Sequence, residues 1–180
     1  MKNTKYVNIF GGPGLGKSSL AAGLFSSLKG LDVDCELVTE QAKILTWSKR
    51  HHELACQPYV HGKQLKMLHV LNGQVDFVIT DSPTLLSAFY SANNYPPSFT
   101  QFIIAEFRCY NNVNYLLSRV KKYNPNGRNQ TLEEAIVIDG AIQDLLSKND
   151  IEYKFVDPSV EDRVKFVLND LLFGPAAYRD

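Results

Sequence analysis

The chain has 180 residues, enough for one domain with a substantial hydrophobic core. Its 19 lysine and arginine residues balance its 19 aspartate and glutamate residues, which argues against nucleic-acid binding driven by net charge but allows a local basic patch. The apolar runs are too short for a membrane span and no secretory signal is recognisable, so we expect a cytoplasmic protein without a membrane partner. The three cysteines lack metal-ligand spacing, which indicates reduced thiols.

A short apolar strand at residues 6–10 leads directly into a glycine-rich loop. Residues 11–18 read GGPGLGKS and match the pattern G-x-x-x-x-G-K-[ST] of the phosphate-binding P-loop. Residues 19–28 then have the apolar spacing of a helix. Strand, loop and helix stand in the order that a P-loop requires, which a chance glycine-rich turn would not explain.

The residue types of this loop fit the binding of a nucleoside triphosphate. Glycine adopts the positive φ angles that turn successive backbone N–H groups toward phosphate oxygens, and the next helix directs its positive end to the same place. Lys17 supplies a positive charge for the outer phosphates, and the Ser18 hydroxyl supplies a ligand for Mg²⁺. We predict that ATP and Mg²⁺ bind here, with ATP contacted by Gly12, Pro13, Gly14, Leu15, Gly16, Lys17, Ser18 and Ser19.

Residues 35–39 predict a second strand, and Glu40 follows it at the start of a helix predicted to end near Cys56. A carboxylate at this position can act as a catalytic base or anchor a substrate, and it can also be an acid favoured by the helix dipole. Trp47, the sole tryptophan, lies in the same predicted helix. It can stack on a nucleobase, although a core or surface aromatic is an equally good interpretation.

A helix is predicted over residues 59–71, and residues 75–81 form a mostly apolar strand that ends in Asp81. This is the Walker B pattern, in which the acid holds Mg²⁺ directly or through water. Asp81 can also cap a helix beginning at Ser82 and Pro83, because proline suits the first helical position. Residues 98–101 spell a capping box, which predicts the next helix, to about Tyr110.

A basic segment follows the fourth predicted strand, residues 113–117. Residues 118–130 contain four cations together with Pro125 and Gly127, a composition that fits a lid over the phosphates. A surface loop with solvated charges is the alternative. Within this segment, Arg119 and Arg128 are the predicted phosphate contacts, because the guanidinium fork suits phosphate oxygens.

The remaining elements complete an alternating pattern. A capping box at residues 131–134 predicts a long helix, residues 152–156 alternate as a fifth strand, and residues 160–172 predict a final helix. The alternation predicts an α/β protein with the P-loop NTPase fold: a mainly parallel five-stranded sheet with helices on both faces, in one domain over residues 1–180.

Several features with chemical potential follow strands and should therefore share one rim of the sheet. The metal ligands predicted there are Ser18 and Asp81. The predicted catalytic residues at this rim are Lys17, Glu40, Asp81, Arg119 and Arg128.

With these motifs, the sequence resembles the P-loop kinase group that includes thymidylate, deoxynucleoside and ribosylnicotinamide kinases. Residues 38–43 resemble the segment where these kinases place an acid after strand two, and residues 119–128 match the position of their lid. The resemblance implies transfer of the γ-phosphate of ATP to a hydroxyl of a nucleoside or nucleotide. Asp81 and Ser82 stand where the group often carries an Asp-Arg pair, so substrate recognition by that arginine is not expected here.

The ensemble is more closely similar to compact P-loop proteins of tailed bacteriophages, which implies a location in the host cytoplasm. Some phage members of the group phosphorylate the 5-hydroxymethyl group of hydroxymethyldeoxyuridine within DNA. That activity makes DNA a candidate substrate, since Ser82 in place of the arginine would suit an acceptor other than a free nucleoside monophosphate. Acceptor identity, preference for ATP over GTP and oligomeric state are left open by the sequence.

Two alternatives to a kinase remain. The first is a P-loop ATPase that couples hydrolysis to a partner, although the chain has little room for a sensor segment or helical lid domain, and it lacks the base-reading N-K-x-D of GTPases. The second is a non-catalytic nucleotide-binding module. The presence of Gly16, Lys17, Ser18 and Asp81 argues against it.

Overall fold

The computed structural model describes residues 2–91, 94–119, 131–157 and 162–174. Five parallel strands form one sheet in the order β2-β3-β1-β4-β5. The strands are β1 Lys5–Phe10, β2 Cys35–Val38, β3 Phe77–Thr80, β4 Asn111–Leu117 and β5 Lys154–Val156. The predicted α/β P-loop NTPase fold with a parallel five-stranded sheet is confirmed.

Eight helices connect or follow the strands in the described part of the chain. They are α1 Lys17–Gly30, α2 Gln41–Trp47, α3 His51–Ala55, α4 Gln57–His69, α5 Leu86–Ser91, α6 Pro97–Phe107, α7 Leu132–Lys148 and α8 Arg163–Phe173. None of these helices is long and apolar enough to span a bilayer.

The central strand β1 supplies side chains to both faces of the sheet, because successive residues of a strand point to opposite sides. Val7 and Ile9 are fully buried against α1 and α8. Phe10, on the opposite face, is buried with Ile103 of α6 and Ile142 of α7. Helices therefore cover both faces, as predicted.

The strand register brings several chain segments together at one edge of the sheet. Thr80 of β3 pairs with Asn8 of β1 and with Val38 of β2, and Leu116 of β4 pairs with Phe10. The segments that leave β1, β2, β3 and β4 consequently start side by side. The predicted rim exists, and it is the location of the candidate site.

The helix predicted from residue 40 to about residue 56 is instead divided into α2 and α3. Lys49 adopts the left-handed conformation with φ 56°, and the Arg50 N–H donates to Leu45 O at 2.9 Å. This is a Schellman-type helix end, which stops α2 after Trp47. Such an ending usually contains glycine, and its occurrence at a lysine explains why the sequence pattern did not reveal it.

One predicted helix start is wrong, one predicted side-chain cap is not found in the described residues, and one capping box is confirmed. The segment after Asp81 forms turns, and α5 begins only at Leu86, so Asp81 does not cap a helix starting at residue 82. Helix α6 begins at Pro97, and no side-chain cap is found for it among the described residues. Pro96 and Pro97 instead prevent the helix from extending toward the N-terminus. The capping box of α7 is present, with Thr131 and Glu134 each bonding the other's backbone N–H.

The predicted lid falls mostly outside the described residues. Residues 120–130, including the predicted phosphate contact Arg128, lie in this part, whereas Ser118 and Arg119 are described.

Candidate active site

The phosphate-binding loop leaves the centre of the sheet and enters α1. Gly11, Gly14 and Gly16 have φ angles of 137°, 84° and 88°, values that L-residues rarely adopt. Gly16 is the N-cap of α1, so the loop ends at the positive end of the helix dipole. The backbone geometry therefore has the features that favour a bound phosphate.

Lys17 is held at the loop by its own chain. Its Nζ donates hydrogen bonds to Gly11 O at 2.8 Å and Gly12 O at 3.0 Å. Burial lowers the pKa of Lys17, while the carboxylates of Glu40 and Asp81 oppose that change. The ammonium group therefore lies within electrostatic reach of three of the other predicted catalytic residues, Glu40, Asp81 and Arg119.

Ser18 and Asp81 meet because β3 lies directly beside β1. The Ser18 hydroxyl donates a hydrogen bond to Asp81 Oδ2, and Asp81 Oδ1 is buried without a hydrogen-bond partner among the described residues. Hydroxyl and carboxylate oxygens are hard ligands that suit Mg²⁺. In the described part of the chain no cluster of three or more His, Cys, Asp or Glu side chains is arranged to hold a metal. A magnesium ion at this pair would need further oxygen ligands from phosphate and water.

Glu40 occupies the N-cap position of α2, but within the described chain its side chain makes no capping hydrogen bond. Burial raises the pKa of Glu40, and the charge of Asp81 raises it further, whereas Lys17 and Lys43 lower it. Burial therefore favours the protonated carboxyl of Glu40 more than it would be favoured in an exposed glutamate. This environment fits proton transfer better than it fits a simple helix-end charge.

A cleft of about 570 Å³ connects the phosphate-binding loop to a second set of side chains. The loop contributes residues 13–19, and Glu40 lines the same cleft. Helices α2 to α5 contribute aromatic, amide and apolar groups: Trp47, Leu54, Gln57, Val60, Gln64 and Tyr90. The Trp47 side chain is 70% exposed and lines the cleft, which excludes a core position and leaves base stacking and a surface aromatic as the alternatives.

Gln64 fixes the wall of this cleft. The side chain is buried, its Oε1 accepts from the Gln41 N–H at 3.1 Å, and its Nε2 donates to Thr80 Oγ1 at 3.4 Å. These bonds tie α4 to the start of α2, directly after Glu40, and to the end of β3, directly before Asp81. Gln64 is not among the sequence-predicted site residues, although an amide between the buried Val60 and Leu68 on one helix face was an available signal.

The comparison with protein families matches most of the chain. A family model described as an AAA domain matches residues 6–163. The chain belongs to this family. No curated protein matches the sequence of this AAA domain.

Solved structures of deoxyadenosine kinase from M. mycoides share the fold of the AAA domain. The form with the products dCMP and a flexible dCDP is 18% identical, with a TM-score of 0.54, and the match covers 92% of this chain and 98% of that chain. The form with bound dATP is 17% identical over the same shares of both chains, also with a TM-score of 0.54. The form with bound dCTP is 18% identical, with a TM-score of 0.53.

The AAA domain also brings two residues to the loop that the sequence did not single out. Asp139 of α7 accepts from the Gly12 N–H at 2.8 Å and from Arg119 Nε at 2.8 Å. Arg163 donates from Nη2 to Ser118 O at 2.7 Å and from Nη1 to Leu15 O at 3.3 Å. Asp139 lies on the buried stripe of α7 between Ala135 and Ile142, and an acid on an apolar stripe was the one available signal.

Proposed function

We propose that the protein is an ATP-dependent kinase that transfers the γ-phosphate to a hydroxyl of a nucleoside or nucleotide. The observation that carries the proposal is the composition of the cleft. One cavity is lined by the phosphate-binding loop, by the carboxyl group of Glu40 and by aromatic and amide side chains that could contact an acceptor. ATP hydrolysis requires only the loop and a carboxylate. The aromatic and amide side chains are explained by the binding of a second, organic substrate.

The residues of the cleft can perform an in-line transfer. The oxygen of the acceptor hydroxyl forms a bond to the γ-phosphorus while the bond from that phosphorus to the β–γ bridging oxygen breaks, and ADP leaves. The hydroxyl proton passes to the carboxylate of Glu40, whose raised pKa makes it a better acceptor than an ordinary carboxylate. Lys17 and the backbone of the loop stabilise negative charge on the transferring group.

A magnesium ion fits the pair Ser18 and Asp81, and we propose that these residues hold it with the phosphates. Bound Mg²⁺ would neutralise charge between the β- and γ-phosphates. The buried Asp81 Oδ1 has no hydrogen-bond partner in the part of the chain that the structure describes, and it supports this assignment because a bound cation would supply the missing interaction.

The structural likeness to deoxyadenosine kinase supports a nucleoside-type acceptor. That protein is described with bound dATP, with bound dCTP and with dCMP as a product, so its version of the fold binds deoxynucleotides. The aromatic side chains of Trp47 and Tyr90 along the present cleft are chemically suited to a base.

The finer candidate acceptor is the 5-hydroxymethyl group of hydroxymethyldeoxyuridine within phage DNA. The charge distribution supports it, because residues 41–69 contain five lysine and arginine residues but one acid in a chain of zero net charge. Lys43 lines the cleft and Trp47 is exposed beside it. A cation and an accessible aromatic ring at the cleft suit a nucleotide that remains part of a strand.

The second candidate function is a P-loop ATPase that couples hydrolysis to a partner. Membership of the AAA domain family favours it, whereas the acceptor-like wall of the cleft favours the kinase.

One experiment separates these candidates. The protein is incubated with Mg²⁺ and γ-labelled ATP, and offered nucleosides, nucleoside monophosphates, ribosylnicotinamide, and duplex DNA with or without 5-hydroxymethyluracil. We expect the label on an acceptor, with release of ADP that depends on that acceptor. Label on modified DNA alone identifies the phage DNA candidate, and label on a small molecule identifies a metabolite kinase. Label found solely in free phosphate contradicts the kinase and favours the ATPase.

DNA binding is measured separately across a range of salt concentrations. An acceptor within DNA requires binding that weakens as salt rises, because lysine and arginine displace counterions from the phosphates. Absence of binding at low salt would remove the DNA candidate and leave the small-molecule kinase standing.

A further inference from the structure

We propose that Asp139 is a positioning residue that fixes Arg119 against the phosphate-binding loop. The inference rests on the proposed nucleotide-dependent function. It assigns to α7, a helix distant in sequence from the loop, a direct part in shaping the nucleotide site.

The carboxylate of Asp139 bridges two groups that belong to different segments. Oδ1 accepts from the Gly12 N–H and Oδ2 accepts from Arg119 Nε, both at 2.8 Å. Arg119 Nη1 in turn donates to Pro13 O at 3.0 Å, and its Nη2 lies 3.3 Å from Ala135 O. Carboxylate, guanidinium and loop backbone thus form a closed ring of hydrogen bonds. The pair is largely shielded from water, with the two side chains 17% and 25% exposed.

The identity of residue 12 follows from this contact. A Cβ atom at Gly12 would lie 2.3 Å from Asp139 Oδ1 and 3.0 Å from Ala135 O. Glycine is therefore needed here for the close approach of α7. The absence of a side chain at residue 12 thus allows the contact with Asp139. A solvent-exposed acid on α7 would not need a glycine at this position.

An acid at this place works against ATP by charge alone. A carboxylate beside a triphosphate repels it, so a residue that acted solely through its charge would weaken nucleotide binding. A positioning residue acts in the opposite direction, because it holds the loop backbone and the Arg119 cation in place before the nucleotide arrives. The sign of the effect on ATP affinity therefore distinguishes the two roles.

The test is the substitution Asp139→Asn, with the dissociation constant of ATP measured by titration calorimetry without any acceptor. We expect affinity to fall about tenfold, the size typical of losing a charge-assisted hydrogen bond, even though a negative charge has been removed. Asp144→Asn is the matched control, because Asp144 lies on the same helix in an exposed pair with Lys148. The control is expected to bind ATP like the wild type.

The same substitution is then made in an Arg119→Ala background. If Asp139 acts through Arg119, the tenfold loss of ATP affinity is absent in this background, since the group that Asp139 holds is already gone and a repulsive charge is removed. Gly12→Ala, which blocks the contact but keeps the acid, is expected to weaken binding in the same way as Asp139→Asn. Thermal unfolding of each variant establishes that the protein is folded at the assay temperature.

Three results would overturn the inference: tighter or unchanged ATP binding by Asp139→Asn, additive losses in the double variant, or equal losses in the Asp144→Asn control. Because these titrations contain no acceptor, they remain valid if no phosphorylated product is found. Failure of the wild type to bind ATP would instead refute the proposed function, and this inference with it.

Discussion

The Ser18 hydroxyl donates a hydrogen bond to Asp81 Oδ2, which joins the first turn of α1 to the end of β3. The bond is possible because β1 and β3 are neighbours in the sheet. It places a hydroxyl and a carboxylate, 63 positions apart in the chain, at one point beside the phosphate-binding loop. This pairing provides the oxygen ligands on which the proposed magnesium site depends.

Asp81→Asn should therefore raise the Mg²⁺ concentration needed for half-maximal turnover. The amide keeps the shape of the carboxyl but lacks its charge, so we expect an increase of at least tenfold, in line with the strength of carboxylate–metal interactions. The measurement is a Mg²⁺ titration at constant ATP. Asp76→Asn, at the opposite end of the same strand in an exposed pair with Lys2, is the control. An unchanged Mg²⁺ dependence would exclude Asp81 as a ligand.

Lys17→Ala should lower turnover by roughly 10²–10³-fold, because the transferring phosphoryl group loses its closest protein cation. The variant should fold normally, since removal of a partly buried ammonium also removes its desolvation cost. Steady-state rates and thermal unfolding are measured together. Lys29→Ala, at the far end of α1, should keep the wild-type rate. Wild-type turnover by Lys17→Ala would refute the site.

Glu40→Gln should preserve ATP binding and lower the rate of phosphate transfer. A base works in its charged form, so the wild-type rate should rise with pH through the pKa of Glu40, which burial raises. In Glu40→Gln that rise should be absent. The measurement is kcat/KM for the acceptor across pH, with ATP affinity determined separately. A rate equal to that of the wild type would leave Glu40 as a helix-end acid without a catalytic part.

The sequence predicts those parts of the site whose chemistry is local. Gly16, Lys17 and Ser18 are adjacent in a motif whose residue types are set by its backbone geometry. Glu40 and Asp81 stand at the ends of apolar strands, and the carboxyl ends of parallel strands share one rim of the sheet. Parallel strands alternating with helices leave few topologies, which is why the fold could also be predicted.

The missed features depend on contacts between distant segments. Gln64 is identifiable as a wall residue only once α4 is placed against α2 and β3, and Asp139 only once α7 reaches Gly12. The division of α2 and α3 at Lys49 likewise uses a left-handed lysine, for which local propensity gives no signal. Helix α6 was predicted from a capping box, but Pro96 at its N-cap and Pro97 at its first position determine where it begins.

Trp47→Ala should raise KM for the acceptor by about five- to 100-fold, the range expected from losing a base stacked on an aromatic ring, with little change in KM for ATP. The effect on stability should be within about 0.5 kcal/mol, because the side chain is 70% exposed. Phe173→Ala is a matched control, since its ring is equally exposed on α8. An unchanged acceptor KM would remove Trp47 from the substrate site.

His61 of α4 and Glu106 of α6 form a buried acid–base pair. His61 Nε2 lies 3.9 Å from Glu106 Oε2, and both side chains are almost completely shielded from water. The rings of Phe99 and Phe102 pack edge-on against the imidazole. Burial raises the pKa of Glu106 to about 7, although hydrogen bonds with Thr84 and Tyr110 lower it. Burial lowers the pKa of His61.

Stability should therefore fall as pH rises from the ordinary carboxyl pKa through about 7, because the folded state binds a proton that the unfolded state releases. The loss approaches roughly 3 kcal/mol at full ionisation. Glu106→Gln, which is neutral at every pH, should remove this decline and be more stable than the wild type at pH 8. In acid, the lowered pKa of His61 should still reduce stability as pH falls below the ordinary imidazole value. Urea unfolding between pH 5 and pH 9 tests both, with the exposed Glu152→Gln as control. An alkaline decline that persists in Glu106→Gln would show that Glu106 is not its source.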